Sequence, residues 1–332
     1  MKAALCKSLD GPGAVVIEEI ADPVPGPGEV VVRVRAAALN FFDTLITRGK
    51  YQTKPDLPFS PSGEVAGIVE SLGPGVTGFK AGDRVAAALG YGGAREKVVV
   101  AAESLIPIPE GVSDTVASAV SVTFGTAIHG LKDRGRLQPG ETVAILGASG
   151  GAGQAALEIA KLMGARVIAA AQGDKLDVCR AAGADEVVDY DAADLKQALK
   201  DLTHGRGVDV VYDCVGGKYA EPAVRALAWE GRFLVVGFAA GDIPRLPLNL
   251  LMLKGADAIG VFWGEAVRRN PEQHRANMIE VLGWVAAGKL APRIHATYPL
   301  AGIRDAIGVL DRREATGKVV LTLDELNPRR AR

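Results

Sequence analysis

The chain has 332 residues, 48% of them hydrophobic, enough for two domains with a core each. Its 38 basic residues nearly cancel its 39 acidic ones, which removes the electrostatic case for nucleic acid or an anionic membrane as a partner. No uninterrupted apolar stretch approaches the ~18 residues of a membrane span, and the opening MKAALCKSLDGPG lacks a signal-peptide core, so a soluble cytoplasmic protein is expected. Cys6, Cys179 and Cys214 lie far apart with no C-x-x-C pair and are expected to be inert thiols.

Residues 1 to about 122 read as mostly β. Strand-like runs at 15–20, 29–36, 63–72, 84–89 and 96–100 are separated by the turns PVPGPGE, GPGVTGFKAGD and LGYGG. Glycines at 63, 67, 73, 75, 78 and 82 punctuate short runs, as a strongly bent, barrel-like sheet needs.

The texture changes at residues 141–163, ETVAILGASGGAGQAALEIAKLM. Residues 142–146 form a short apolar run of the kind a buried parallel strand shows, and glycines follow at 147, 150, 151 and 153. Ala152, Ala155, Ala156, Ile159, Ala160 and Met163 then recur at steps of three and four, giving a helix face that is apolar and mostly small. Strand, glycine turn and helix together outline a pyrophosphate site, in which free N–H groups at the helix start meet the ligand's charge. The spacing is G-x-x-G-x-x-G rather than G-x-G-x-x-G, so the turn alone also fits a tight connection without a ligand. Strand-like runs at 166–171, 186–190, 208–215 and 232–239, spaced by helix-sized segments, supply the context of a doubly wound parallel sheet. Beyond residue 264, helices are expected at 276–287 and 303–310, strands at 293–298 and 318–323, and a solvated basic tail, NPRRAR, at the end.

Six motifs occur in one order: Asn40-Phe41-Phe42-Asp43, Arg48-Gly49-x-Tyr51, Gly63-Glu64-x-x-Gly67, Gly82-Asp83-Arg84-Val85, the glycine turn at 147–153, and Gly317-Lys318-Val319-Val320-Leu321. Together they resemble the medium-chain dehydrogenase/reductase superfamily, in its zinc-free quinone oxidoreductase (zeta-crystallin-like) branch, over nearly the whole chain. The resemblance implies an α/β protein: a GroES-like β-barrel catalytic domain (1–122), a Rossmann doubly wound parallel-sheet cofactor domain (123–263), and a return segment (264–332) completing the first domain. It places the active site in the cleft between domains. It also implies a homodimer, with 258–263 as the edge strand that pairs across a two-fold axis.

Zinc-dependent relatives carry Cys where this chain has Asn40 and His-Glu where it has Gly63-Glu64, so no metal is expected. For the cofactor, the end of the second strand falls at Ala170, followed by Ala171, Gln172 and Gly173, with no acid to take the ribose hydroxyls or repel a 2′-phosphate. Asp174 stands where a helix N-cap is expected. The resemblance assigns Lys175 to the 2′-phosphate and Tyr190 to the adenosine end, which makes NADPH the expected cofactor. Gly173 departs from the Ser common at that position, which removes one hydroxyl donor.

The resemblance further implies cofactor contacts from Thr126, from Gly147, Ser149, Gly150, Gly151, Ala152 and Gly153 in the turn, from Gly237, Phe238, Phe262 and Trp263 beside the nicotinamide, and from Lys318. Asn40 and Tyr51 are the candidate catalytic donors: either can hydrogen-bond an oxygen that gains charge as hydride arrives, and a tyrosine stays protonated at neutral pH. A quinone is the expected acceptor. Reduction of the C=C bond of an α,β-unsaturated ketone, aldehyde or acyl thioester is the alternative, and an NADPH-binding protein with incidental turnover is a third reading.

Overall fold

The computed structural model describes residues 1–323; the basic tail expected at the end of the chain lies outside them. Two units are present, one formed by Met1–Val122 with the chain from Asn270 onward, the other by Thr123–Arg269.

The first unit begins with β1 (Lys2–Cys6) and β2 (Val15–Glu19), an antiparallel pair. Its larger sheet uses β3 (Glu29–Leu39), β4 (Glu64–Leu72), β5 (Arg84–Ala88), β6 (Lys97–Ala101) and β7 (Ile106–Pro107). Between β3 and β4 lies a short helix, α1 (Phe41–Ile46), and α2 (Asp114–Ser118) follows β7. The pairing of β3 with β4 slips at two bulges, between Val31 and Val32 and between Val34 and Ala36, which bend the sheet. Gly67 sits at that bend because a Cβ there would lie 2.1 Å from the Arg33 carbonyl oxygen.

The second unit opens with α3 (Thr123–Ile128) and then alternates: β8 (Thr142–Leu146), α4 (Gly151–Leu162), β9 (Arg166–Ala171), α5 (Leu176–Ala181), β10 (Glu186–Asp189), α6 (Leu195–Asp201), β11 (Val208–Asp213), α7 (Ala220–Arg225), β12 (Leu227–Val235), α8 (Asn249–Met252), β13 (Asp257–Gly260) and α9 (Trp263–Arg269). The six strands are parallel in the order β10-β9-β8-β11-β12-β13. Chain order therefore reverses between β8 and β11, the crevice where open α/β sheets bind ligands. β8 is buried along its whole length, which explains its unbroken apolar run.

The chain returns to the first unit through α10 (Pro271–Ala286), whose N-cap Asn270 accepts from the Gln273 N–H at 3.1 Å. β14 (Ile294–Pro299), α11 (Ile303–Asp311) and β15 (Lys318–Thr322) follow. β15 adds to β3 in antiparallel register, with Val319 opposite Leu39, and β14 adds in parallel to β15. Arg48 and Asp311 clamp the return segment to α1 through two bonds of 3.0 and 2.7 Å.

Two expected strands end differently. The run at 232–239 is part of a strand that starts at Leu227 and stops at Val235, and the edge strand expected through residue 263 stops at Gly260 because Trp263 opens α9. β1 and α1 had no counterpart in the sequence reading.

Gly153 sets how closely α4 lies on β8: a methyl there would fall 2.2 Å from the Gly147 carbonyl oxygen and 2.6 Å from the Ala148 Cα. Gly153→Ala is expected to cost about 1–3 kcal/mol of stability, because backbone and not a flexible side chain must move. A denaturant midpoint equal to that of the native chain contradicts this packing.

Candidate functional site

In the second unit the turn after β8 is held from below and open above. The Gly147 and Ala148 N–H groups both donate to the Ala170 carbonyl oxygen, at 3.0 and 3.1 Å, and Gln154 Nε2 donates to the Ser149 carbonyl at 2.7 Å. Gly147 takes φ 74°, a conformation that favours glycine, and Gly150 is the N-cap of α4. The N–H groups of Gly151, Ala152 and Gly153 then begin the helix, where no intrahelical acceptor exists for them. This is an anion-binding end at the crevice between β8 and β11.

At the carboxyl ends of β9 and β10 the structure gathers Gln172, Lys175, Tyr190, Asp191, Lys218 and Tyr219. Lys175 Nζ lies 3.5 Å from Gln172 Oε1, and Tyr190 packs against Tyr219 with ring centroids 4.4 Å apart. Asp191 accepts from the Tyr219 hydroxyl, from Gln172 Nε2 at 3.3 Å and from Lys218 Nζ at 3.3 Å, and the Tyr219 bond leads in holding its carboxyl below the usual range. An acid thus reaches this corner from the third strand of the sheet. Asp174 is not the expected cap: Gln172 caps the short turn Gly173–Lys175, and Lys175 precedes α5. A Cβ at Gly173 would sit 2.5 Å from Asp189 Oδ2, so that carboxylate would have to turn aside to admit a side chain.

Thr126 lies in α3, where the absent Cβ of Gly125 would meet Trp263 Nε1 at 2.8 Å, so Trp263 packs on that helix. Gly237 donates its N–H to the Asp213 carbonyl at 3.1 Å, and Phe238 lies against Gly216, which places both at the end of β11. Phe262 is exposed.

In the first unit, register explains the other cluster. Ala38 pairs with Glu64 across β3 and β4, and Leu39 pairs with Val319 across β3 and β15, so Asn40, Glu64 and Lys318 meet at one end of three adjacent strands. Lys318 Nζ donates to Asn40 Oδ1 at 2.5 Å, to Glu64 Oε1 at 2.7 Å and to the Leu39 carbonyl at 3.1 Å. Asn40 Nδ2 donates to the same Glu64 oxygen at 2.9 Å, while Glu64 Oε2 accepts from the Val122 N–H at 2.7 Å. Asp43 accepts from the Asn40 N–H and the Ser62 N–H, both at 2.8 Å. Glu64 and Asp43 are 0% exposed, Lys318 4% and Asn40 7%.

All three ammonium hydrogens of Lys318 are thus taken by acceptors of its own unit. Tyr51 stacks on Phe42 of α1 with centroids 5.2 Å apart; burial, with the Asp43 charge second, pushes its hydroxyl pKa up, so it stays protonated. Glu64 and Asp43 were absent from the candidate residues. Their signal is an acid at the edge of an otherwise apolar strand, and an acid three residues after an N-cap asparagine.

The residue at the expected zinc-ligand position is an amide, its neighbour Glu64 already holds an ammonium, and among the described residues no group of three or more His, Cys, Asp or Glu is arranged to hold a metal. These donors do not fit a zinc site built from thiolate and imidazole. Among the same residues, no helix is long and apolar enough to cross a membrane.

Residues 26–110 match the family described as alcohol dehydrogenase GroES-like domain, and residues 151–284 match the one described as zinc-binding dehydrogenase. Quinone oxidoreductase-like protein 2 of Bos taurus is 40% identical over 324 residues, covering 97% of this chain and 92% of its own length. The chain belongs to the medium-chain dehydrogenase/reductase superfamily, in its quinone oxidoreductase-like branch. Among solved structures, the mycobacterial protein Rv1454c complexed with NADPH superposes with a TM-score of 0.90 at 30% identity, covering 97% of this chain and 100% of that one. The CurK enoyl reductase superposes at 0.85 with 26% identity, covering 97% and 99%.

Burial pushes the Asp43 carboxyl up from 3.8 to about 7, opposed by the two N–H donors and by Lys318. The folded chain therefore holds this proton more tightly than the unfolded one. The resulting stability is fully present below the ordinary value of 3.8 and is lost as pH rises through about 7. Asp43→Asn is expected to flatten that part of the curve of stability against pH. It is also expected to cost about 1–3 kcal/mol at every pH, because one buried N–H then faces an amide N–H₂. Denaturant unfolding at a series of pH values checks both, and an unchanged slope contradicts the Asp43 assignment.

Proposed function

We propose that the chain is an NADPH-dependent, metal-independent reductase of quinones. The observation that carries this reading is the Asn40 cluster, which offers a neutral hydrogen-bond donor backed by an ammonium where zinc relatives have thiolate and imidazole ligands. Quinone reduction suits such a site because charge arriving on the acceptor spreads onto oxygen, which hydrogen bonds stabilise without a Lewis acid. NADPH, when bound, supplies the hydride. The turn at 147–153 would hold its pyrophosphate on N–H groups, Lys175 would neutralise the 2′-phosphate, Tyr190 would contact the adenosine end, and Thr126, Gly237, Phe238, Phe262 and Trp263 would line the nicotinamide. Asn40 Nδ2 keeps one N–H for the acceptor oxygen, and the protonated Tyr51 hydroxyl offers a second donor. The NADPH complex of Rv1454c and the name of the bovine relative support the cofactor and the acceptor class.

Reduction of a conjugated C=C bond is the second reading, favoured by the likeness to an enoyl reductase and by a tyrosine hydroxyl that stays protonated. A homodimer through β13 also fits, because that strand is a sheet edge with Met252, Leu253 and Phe262 exposed nearby in the sequence. Sedimentation as a monomer at micromolar concentration contradicts it.

The deciding assay follows cofactor oxidation with NADPH or NADH and an ortho-quinone, a para-quinone or a conjugated enone, with and without chelator. Quinone turnover that prefers NADPH and ignores chelator is expected, and consumption of the enone alone reassigns the acceptor. In the same assay Lys175→Ala is expected to weaken NADPH by about tenfold and leave NADH unchanged. Unchanged NADPH affinity removes Lys175 from the site.

A further inference from the structure

Asn40 can act as a donor only if its amide faces one way, and an isolated asparagine amide has two nearly equivalent orientations. Its two partners break that equivalence. An ammonium can only donate, so Lys318 requires the oxygen of Asn40, and an ionised carboxylate can only accept, so Glu64 requires its nitrogen. The two partners also bond each other at 2.7 Å, and Glu64 is anchored a second time by the Val122 N–H, so neither can turn without breaking a buried contact. Drawing electron density from the amide oxygen onto an ammonium also makes the remaining Nδ2–H a stronger donor.

We propose that Lys318, with Glu64, is a positioning residue for hydride acceptance: the pair fixes and polarises the Asn40 amide so that its second N–H serves the acceptor oxygen. This rests on the reading of Asn40 as the acceptor's donor. It moves Lys318 from the cofactor side of the reaction to the acceptor side, and it gives the buried pair a task beyond stability.

The test uses the full chain with NADPH and 1,2-naphthoquinone, and measures kcat, KM and the NADPH dissociation constant for Asn40→Ala, Lys318→Met and their double variant. Each single variant is expected to lower kcat about ten- to hundredfold with NADPH affinity held within about twofold. The double is expected to fall no further than Asn40→Ala, since Lys318 acts through Asn40. Additive losses, or a Lys318→Met variant that loses NADPH affinity and keeps kcat, overturn the proposal. If Asn40→Ala keeps native kcat while NADPH oxidation proceeds, the donor role of Asn40 falls and the positioning role with it, but the reductase reading stands.

Lys318→Met leaves Glu64 as an unpaired buried charge, so Lys318→Met/Glu64→Gln serves as the folding control. Glutamine both donates and accepts and cannot orient the amide. Recovered stability with kcat still low supports positioning, whereas kcat that recovers with stability reduces the pair to a structural one. Independently of turnover, the Asn40 side-chain amide protons are expected to give one fixed pair of NMR resonances that broadens in Lys318→Met/Glu64→Gln, and unchanged resonances overturn the proposal.

Discussion

The first unit depends on one buried ion pair, Lys318 with Glu64. Two charges taken out of water cost several kcal/mol each, and only good geometry with every remaining donor and acceptor satisfied offsets that. Here the offset is visible: each ammonium hydrogen has an acceptor, and the two carboxylate oxygens take three donors from Lys318, Asn40 and Val122. The partners are 254 positions apart. They meet only because β15, arriving last, pairs with β3 in a register that sets Val319 opposite Leu39. The return segment is thus a requirement of the cluster, and the Arg48–Asp311 clamp and the Arg304 contact to the Val15 carbonyl at 2.6 Å hold it in place.

The second unit solves a different problem with backbone. Its strand order opens a crevice beside β8, and the turn there supplies N–H groups rather than charged side chains. Small residues make this possible, since Gly153 lets α4 rest on the turn at a distance no side chain permits. Basic side chains gather at the far corner, where Lys218 bonds Asp191 and Lys175 reaches Gln172. One unit thus presents backbone N–H groups at the start of a helix, and the other brackets a single amide with a buried ion pair.

Much of this was legible in the amino-acid order. Parallel strands buried on both faces leave near-continuous apolar runs, which is why β8 and β9 could be read, and the glycine turn with its small-faced helix marked the crevice. α1 could not be read, because six residues are too few for a helical period to show and the helix is started by a cap and a capping acid rather than by a stripe. The position of Lys318 escaped for another reason. The resemblance pointed Lys318 toward the cofactor, and only the long-range register, which no local pattern carries, buries its ammonium against Asn40 and Glu64. The same holds for Asp191, whose partners come from two separate segments, Gln172 from one and the adjacent Lys218 and Tyr219 from the other.

The central claim is that an oriented amide backed by an ammonium does on the acceptor side what a zinc ion does in other members of the superfamily. The metal content of the catalytically active protein tests it most directly, measured by plasma mass spectrometry on the same sample whose NADPH oxidation is assayed. Substoichiometric zinc with no relation between metal content and rate, and full activity after dialysis against chelator, are expected. One zinc per chain, lost together with activity on chelation and restored with it on adding zinc back, contradicts it.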